Sequence, residues 1–163
     1  MKSSIPWERI LEANDIRGIV YPSSFDPEII SFANRHLGRS AYETYLSGSD
    51  FSRVNTLRWK HIAEASNIGG LKYPGIFNIS DANFADRDIS KSDFSRVEGL
   101  DWRILSKALE IWGIFYPAGF DVQQLEWKGR YIAGSDFRNV QLLRWYHLQD
   151  VWGLNEIVYP KEF

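Results

Sequence analysis

The side chains of this chain that could do acid–base or metal chemistry near neutrality are three histidines, His36, His61 and His147, and there is no cysteine beside them. Two of the three, His61 and His147, stand at the same place in a recurring motif, just after a Trp-x pair. A histidine copied along with its motif reads as a surface or packing residue rather than a catalyst. No phosphate loop, dinucleotide fingerprint, metal-spaced His/Glu set or nucleophile elbow accompanies them. The sequence therefore predicts no catalytic residue, no metal and no cofactor.

Carboxylates recur as well. Asp50, Asp93 and Asp136 each sit inside Ser-Asp-Phe. Stacked, they would form a column that binds a ligand. Singly, each would bond its own backbone and form a turn, which is the commoner use of Asp in a tight corner. Arg53, Arg96 and Arg138 follow them closely and would pair with them or present a basic stripe. Arg58 and Arg144 flank a Trp, but Asp101 replaces Arg in the intervening copy. That break argues against a ladder of basic teeth on a phosphate backbone.

Among the aromatic residues that stand outside the repeated columns are Tyr42, Tyr45, Trp112, Trp127, Tyr131, Tyr146 and Trp152. Repetition does not demand them, so with Arg53, Arg96 and Arg138 they are the candidate partner-binding residues.

The element that must carry all these groups is a repeat. GSDFSRVNTLRW (48–59), KSDFSRVEGLDW (91–102) and GSDFRNVQLLRW (134–145) recur at a spacing of 43 residues, and a partial copy precedes them. Trp59, Trp102 and Trp145 keep that spacing, as do Phe51, Phe94 and Phe137, and Tyr73, Tyr116 and Tyr159. A fixed period of this size marks a repeat architecture in which one unit stacks on the next, its equivalent Trp and Phe rings forming a shared interior. The expected fold is an α/β solenoid of about three and a half units in one domain, residues 1–163. The units run approximately 4–55, 56–98, 99–141 and 142–163.

Within a unit, apolar residues follow the Trp at every third position, as in Trp59, Ile62, Ala65, Ile68 and Leu71. A stripe of that pitch drifts around a helix, so a helix of about three turns is expected, capped by Thr56 and ended by glycines such as Gly18, Gly70 and Gly113. An extended Tyr-Pro strand follows, because the residue before proline is pushed out of the helical region.

A rhythm of five runs through the rest. Ile79, Phe84, Ile89 and Phe94 keep it, as do Val122, Trp127, Ile132 and Phe137. ANFAD, RDISK and SDFSR, with a small residue two before the apolar one, resemble pentapeptide-repeat proteins. That resemblance covers about 20 residues per unit and implies a right-handed, four-sided β coil. Arg87 and Arg130 depart from it where a small residue is wanted. By the same resemblance the chain would be an inhibitor or effector acting on a DNA-handling enzyme or a host protein.

The first unit is longer, since Phe25 to Phe51 spans 26 positions where Phe77 to Phe94 spans 17. The stretch DPEIISFANRHLG, with Asp26, Pro27 and Glu28 at its start and Gly38 at its end, predicts an extra N-terminal capping helix over 27–37. No such insertion closes the other end, and an uncapped C-terminal end would let a second copy stack there as a homodimer.

Nineteen basic against 21 acidic residues give a net charge of −2, which provides no global field toward nucleic acid or an anionic membrane. The start of the chain lacks a signal-peptide core, and no long apolar run is present. The expectation is a cytoplasmic protein, or one delivered by a non-classical route, that binds a protein partner through an extended face without catalysing a reaction.

Overall fold

A backbone N–H or C=O removed from water needs a partner, and beyond the first unit this chain finds it in its own sequence 20 to 23 residues away. The computed structural model describes residues 10, 12–38, 48–123 and 127–163. In it Phe51 N–H donates to the Lys72 carbonyl (2.9 Å), Tyr73 to Asp93 (3.1 Å), Phe94 to Phe115 (3.0 Å), Tyr116 to Asp136 (3.0 Å) and Phe137 to Val158 (2.8 Å). These bonds belong to a line of parallel bridges through Val20, Asp50, Lys72, Asp93, Phe115, Asp136 and Val158. Earlier in the chain than each of these, by five or six residues except at His36, a second set joins Asp15 to His36, His36 to Asn67, Asp88 to Glu110, and Tyr131 to Trp152.

The α/β solenoid expected from the period is not what forms. Among the described residues the parallel pairings are isolated single-residue bridges, with no continuous strand or sheet. Among the described residues after Glu12, regular helix amounts to two single-turn α-helices, α1 (Trp59–Ile62) and α2 (Trp102–Leu105), with short 3₁₀ turns at Pro27–Ile29, Ile79–Asp81 and Trp145–Leu148. The reason is the density of turns. Phe25, Phe77 and Phe120 N–H donate back to the carbonyls of Pro22, Pro74 and Pro117, and Val54, Val97 and Val140 to those of Phe51, Phe94 and Phe137. Each straight stretch between turns is too short for more than one bridging residue.

Asp and Asn side chains build many of these turns. The Oδ1 atoms of Asp50, Asn83, Asp88, Asp93 and Asp136 accept from the backbone N–H two residues on, at 2.9–3.1 Å. The Ser-Asp-Phe aspartates are thus turn formers. They do not form an unbroken carboxylate column, because Lys72 and Phe115 stand between them in the line of bridges.

The core is aromatic. Tyr21 stacks on Phe51, Tyr73 on Phe94 and Tyr116 on Phe137, with centroids 4.4–4.6 Å apart and planes within 12° of parallel. Phe32, Phe84 and Trp127 meet the three phenylalanines at 5.8, 5.8 and 5.2 Å. Ser49, Ser92 and Ser135, two before each Phe, are fully buried beside them. The Trp column behaves differently: Trp102 is buried, Trp59 half-buried against Phe84, and Trp145 is 56% exposed.

The helices are shorter than the three turns expected, and their caps differ. Arg58, not Thr56, is the N-cap of α1, and its N–H donates to His61 Nδ1 at 2.9 Å; Arg144 does the same to His147 at 3.0 Å. Where Asp101 replaces the arginine, its own carboxylate accepts from Ile104 N–H, and no histidine is needed. Both helices stop in right-handed residues, Ala63 and Ser106, well before Gly70 and Gly113.

The other end of the turn is held by arginines. Arg87 donates to the carbonyls of Ala63 (2.8 Å) and Ala65, Arg130 to Ala108 (2.7 Å), and Arg35 to Ile10 (2.7 Å). The residues that break the pentapeptide pattern therefore close the chain just past the preceding helical turn.

The expected capping helix over 27–37 is also absent. Asp26 caps a single 3₁₀ turn, Pro27–Ile29, and the chain is extended by Ile30. From there it pairs on both sides: His36 N–H donates to Asn14 O (2.9 Å), while Leu37 N–H donates to Asn67 O (3.2 Å). Phe32 occupies the place of Phe84, and Asn34 and Asp86 share a φ of 58°. A helix would forfeit all of these pairings. The extra length of the first unit consequently falls after Gly38 and before Gly48, over 39–47, outside the described residues.

Candidate functional site

One corner of the molecule is written in left-handed residues. Gly70, Lys91, Gly113, Gly134 and Glu156 lie at successive levels with φ between 58° and 72°. Their neighbours are joined in sequence: Gly70 N–H to Ser90 O (2.7 Å), Lys91 to Trp112 O (2.7 Å), Gly113 to Ala133 O (2.8 Å), Gly134 to Asn155 O (2.9 Å). Glycine is the natural occupant of such a conformation. Lys91 and Glu156 take it with a side chain: the Lys91 chain runs over Gly113, where a Cβ would lie 2.8 Å from its Cγ, and Glu156 Oε2 reaches to 4.0 Å from the Cβ position of Gly134.

These residues line an open groove of about 410 Å³ together with Trp112, Phe115 and Tyr131, and Lys91, Asn155 and Glu156 supply its polar side-chain atoms. The Lys91 ammonium lies 4.6 Å from the centre of the Trp112 ring. The Tyr131 ring covers Gly153 so closely that a Cβ there would fall 2.2 Å from it. Tyr131 is bridged to Trp152 at the next level, and the two are 46% and 68% exposed.

The sequence candidates separate into groups. Trp112 and Tyr131 line this groove, and Trp152 is bridged to Tyr131 through the backbone. Tyr146, 65% exposed and in contact with His147, lines another depression with Gln123, Lys128 and Asp150. Trp127 is not an interface anchor: it is 2% exposed, fills the place of Phe84 in the core, and its indole N–H finds no acceptor among the described residues. Arg53 and Arg96 stand exposed on turns beyond the Asp face. Arg138 pairs with Asp136 at 2.7 Å, and that carboxylate raises the pKa of the guanidinium. Tyr42 and Tyr45 lie outside the described residues.

Comparison with family models, curated proteins and solved structures finds no match to this chain. Its surface must be read from its own residues.

Sequence reasoning missed Lys91, Phe115, Glu156, Gly113 and Gly134. The signal was present. GSDF opens at Gly48 and Gly134 but becomes KSDF at Lys91, and Glu156 replaces the glycine found at 70 and 113. Two departures from one glycine column bracket the groove. Of the histidines, His61 also contacts Glu28 at 3.0 Å; the Lys60 ammonium, and after it this contact, holds that carboxyl down to about 2. This is an exposed ion cluster joining the first 3₁₀ turn to α1. Among the described residues no helix is long and apolar enough to cross a membrane.

Proposed function

We propose that this chain is a non-enzymatic scaffold that binds a protein partner through an extended aromatic face. The observation that carries the reading is a set of large rings left in water: Phe115 and Tyr131 in one groove, Trp152 bridged to Tyr131 through the backbone, and Tyr146 at a second depression. Phe115 is 42% exposed, Tyr131 46%, Tyr146 65% and Trp152 68%. Rings of this size are the usual anchors of protein interfaces, and leaving several exposed together is costly unless something covers them. Photo-crosslinking from a benzophenone placed at Trp152, compared with one at Gly119, tests it. A partner labelled from position 152 alone supports the reading. A turnover activity lost on substitution of a residue in one unit sinks it.

A second reading, an inhibitor or effector acting on a DNA-handling enzyme or host protein, draws on the five-residue rhythm of Asp and Asn turns at Asn83, Asp88 and Asp93. Inhibition of a purified type II topoisomerase by the intact chain would favour it over the first.

A further inference from the structure

We infer that the ladder edge at Glu156, Ile157 and Tyr159 takes an extended segment of a protein partner, of the form Gly-small-Asp-Phe, as its next level. This surface is distinct from the aromatic face proposed above, and the inference does not rest on that reading.

Two kinds of level alternate along the ladder. Tyr-Pro levels, at Tyr21, Tyr73, Tyr116 and Tyr159, are interleaved with Ser-Asp-Phe levels at Phe51, Phe94 and Phe137. Two of the inner Tyr-Pro levels are closed by the following Ser-Asp-Phe level through the same three bonds. In one, Gly70 N–H donates to Ser90 O (2.7 Å), Tyr73 N–H donates to Asp93 O (3.1 Å), and Leu71 O accepts from Asp93 N–H (2.8 Å). In the other, Gly113 N–H donates to Ala133 O (2.8 Å), Tyr116 N–H donates to Asp136 O (3.0 Å), and Ile114 O accepts from Asp136 N–H (2.8 Å). Glu156, Tyr159 and Ile157 hold these three positions in the fourth Tyr-Pro level. Among the described residues the two N–H groups and the carbonyl have no hydrogen-bond partner.

The side chains agree. Tyr73 and Tyr116 each stack on a Phe of the following level, whereas Tyr159 meets only Phe163, the counterpart of Phe120 in its own level. Val151, Leu154, Ile157 and Tyr159 are half-buried, where Ala108, Ile111, Ile114 and Tyr116 are buried. Stacked repeats need such an open face covered. A strand laid on free backbone groups binds through main-chain bonds, and the side-chain places it meets give selectivity.

The inner levels say which side chains fit. Two residues before the bonding Asp the backbone is left-handed, with φ of 58° at Lys91 and 68° at Gly134, so glycine suits that place. Ser92 and Ser135 come next and are fully buried, which calls for a small residue. The Asp then turns the chain through its own Oδ1, and the Phe that follows would face the Tyr159 ring. A second copy of this chain has no such segment to offer, because its Phe51, Phe94 and Phe137 are themselves fully buried.

A fluorescent peptide with the sequence of residues 133–139, Ala-Gly-Ser-Asp-Phe-Arg-Asn, tests this by anisotropy against the intact chain. It should bind, and replacing its Phe by Ala should abolish binding. Methylating its Asp nitrogen removes the donor to Ile157 O and should weaken binding about tenfold. Methylating its Phe nitrogen should have little effect, because that N–H points to the level beyond, as Phe94 N–H points to Phe115 O. These comparisons use the unaltered chain, so misfolding cannot mimic them. With benzoylphenylalanine in place of its Phe, the peptide should crosslink within residues 151–163. No binding, equal loss from both methylations, or crosslinks elsewhere overturns the inference. So does a dimer of the chain that Ile157→Asp dissolves, since a second copy would then occupy this edge. A partner labelled from position 152 without any peptide binding would keep the scaffold reading and remove this one, and peptide binding without that label would do the reverse.

Discussion

Tyr73 and Phe94 lie face to face, centroids 4.6 Å apart and planes 12° from parallel, across one step of the backbone ladder. The same pairing is made by Tyr21 with Phe51 and by Tyr116 with Phe137. It is the repeated contact that sets one level of the chain upon the next.

The two members of the pair should respond differently to truncation. Phe94 is fully buried, so Phe94→Ala should cost about 3–5 kcal/mol. The Tyr73 hydroxyl is buried without a hydrogen-bond partner, and burial pushes its pKa well above the ordinary value of 10.0. Tyr73→Phe removes that stranded group and should leave stability unchanged or raise it by about 1 kcal/mol. Urea unfolding followed by tryptophan fluorescence separates the two outcomes.

Arg87 should matter more than a half-buried cation usually does. Its guanidinium serves the carbonyls of Ala63 and Ala65 together, and burial lowers its pKa. Arg87→Met strands both carbonyls and should lose about 2 kcal/mol, with Arg87→Lys intermediate because one ammonium cannot span both acceptors as the planar fork does. The midpoint of chemical unfolding measures this.

His147 gives the fold a pH dependence of predictable sign. Burial is the larger cause holding its pKa below 6.5, and the charge of Arg144 adds to it. The ring also accepts the Arg144 N–H through Nδ1, so a proton there breaks the cap. The folded chain therefore binds this proton less readily than the unfolded chain does. The stabilising contribution is complete above 6.5 and is lost as pH falls through the lower folded value. Unfolding midpoints taken from pH 8 to pH 5 should drop, and His147→Asn, which keeps an acceptor without the titration, should flatten the drop.

Two glycines should prove irreplaceable and a third free. A Cβ on Gly38 would lie 2.3 Å from Gly69 O, and one on Gly48 2.4 Å from Gly70 C and O. Each Gly→Ala change there should cost about 3 kcal/mol, since backbone must move to admit the methyl. Gly119 meets nothing within 4 Å, and Gly119→Ala should be neutral or slightly stabilising. Thermal melts of the three variants decide it.

These residues also show what the chain's letters made legible. The spacing of Phe51, Phe94 and Phe137 correctly marked buried rings, and the aspartates before them were readable as turn formers. The half-length step that pairs Asp50 with Lys72 was hidden, because Lys72, Phe115 and Val158 share a position but no side-chain type. A period shows where a motif returns, and it is silent on partners that differ in chemistry. Asp26-Pro27-Glu28 signalled a helix start correctly, yet the helix stopped after one turn because Phe32 and Leu37 are buried in the ladder. Local capping signals report initiation, and tertiary pairing decides extension. Trp127 was misread for an opposite reason: its rarity suggested a special role, while its register with Phe84 placed it in the core. At the groove, the informative letters were the two that broke a glycine column.

The glycine doorway formed by Gly38 and Gly48 against Gly69 and Gly70 has an evolutionary corollary. Gly38 and Gly48 are seated on the same short piece of backbone, and the ordinary pattern resumes at once with Ser49, Asp50 and Phe51. Length at this point is therefore uncoupled from architecture. Insertion, deletion or substitution between the two glycines leaves the pairings of their neighbours available, making this doorway a natural spot for new specificity to be grafted.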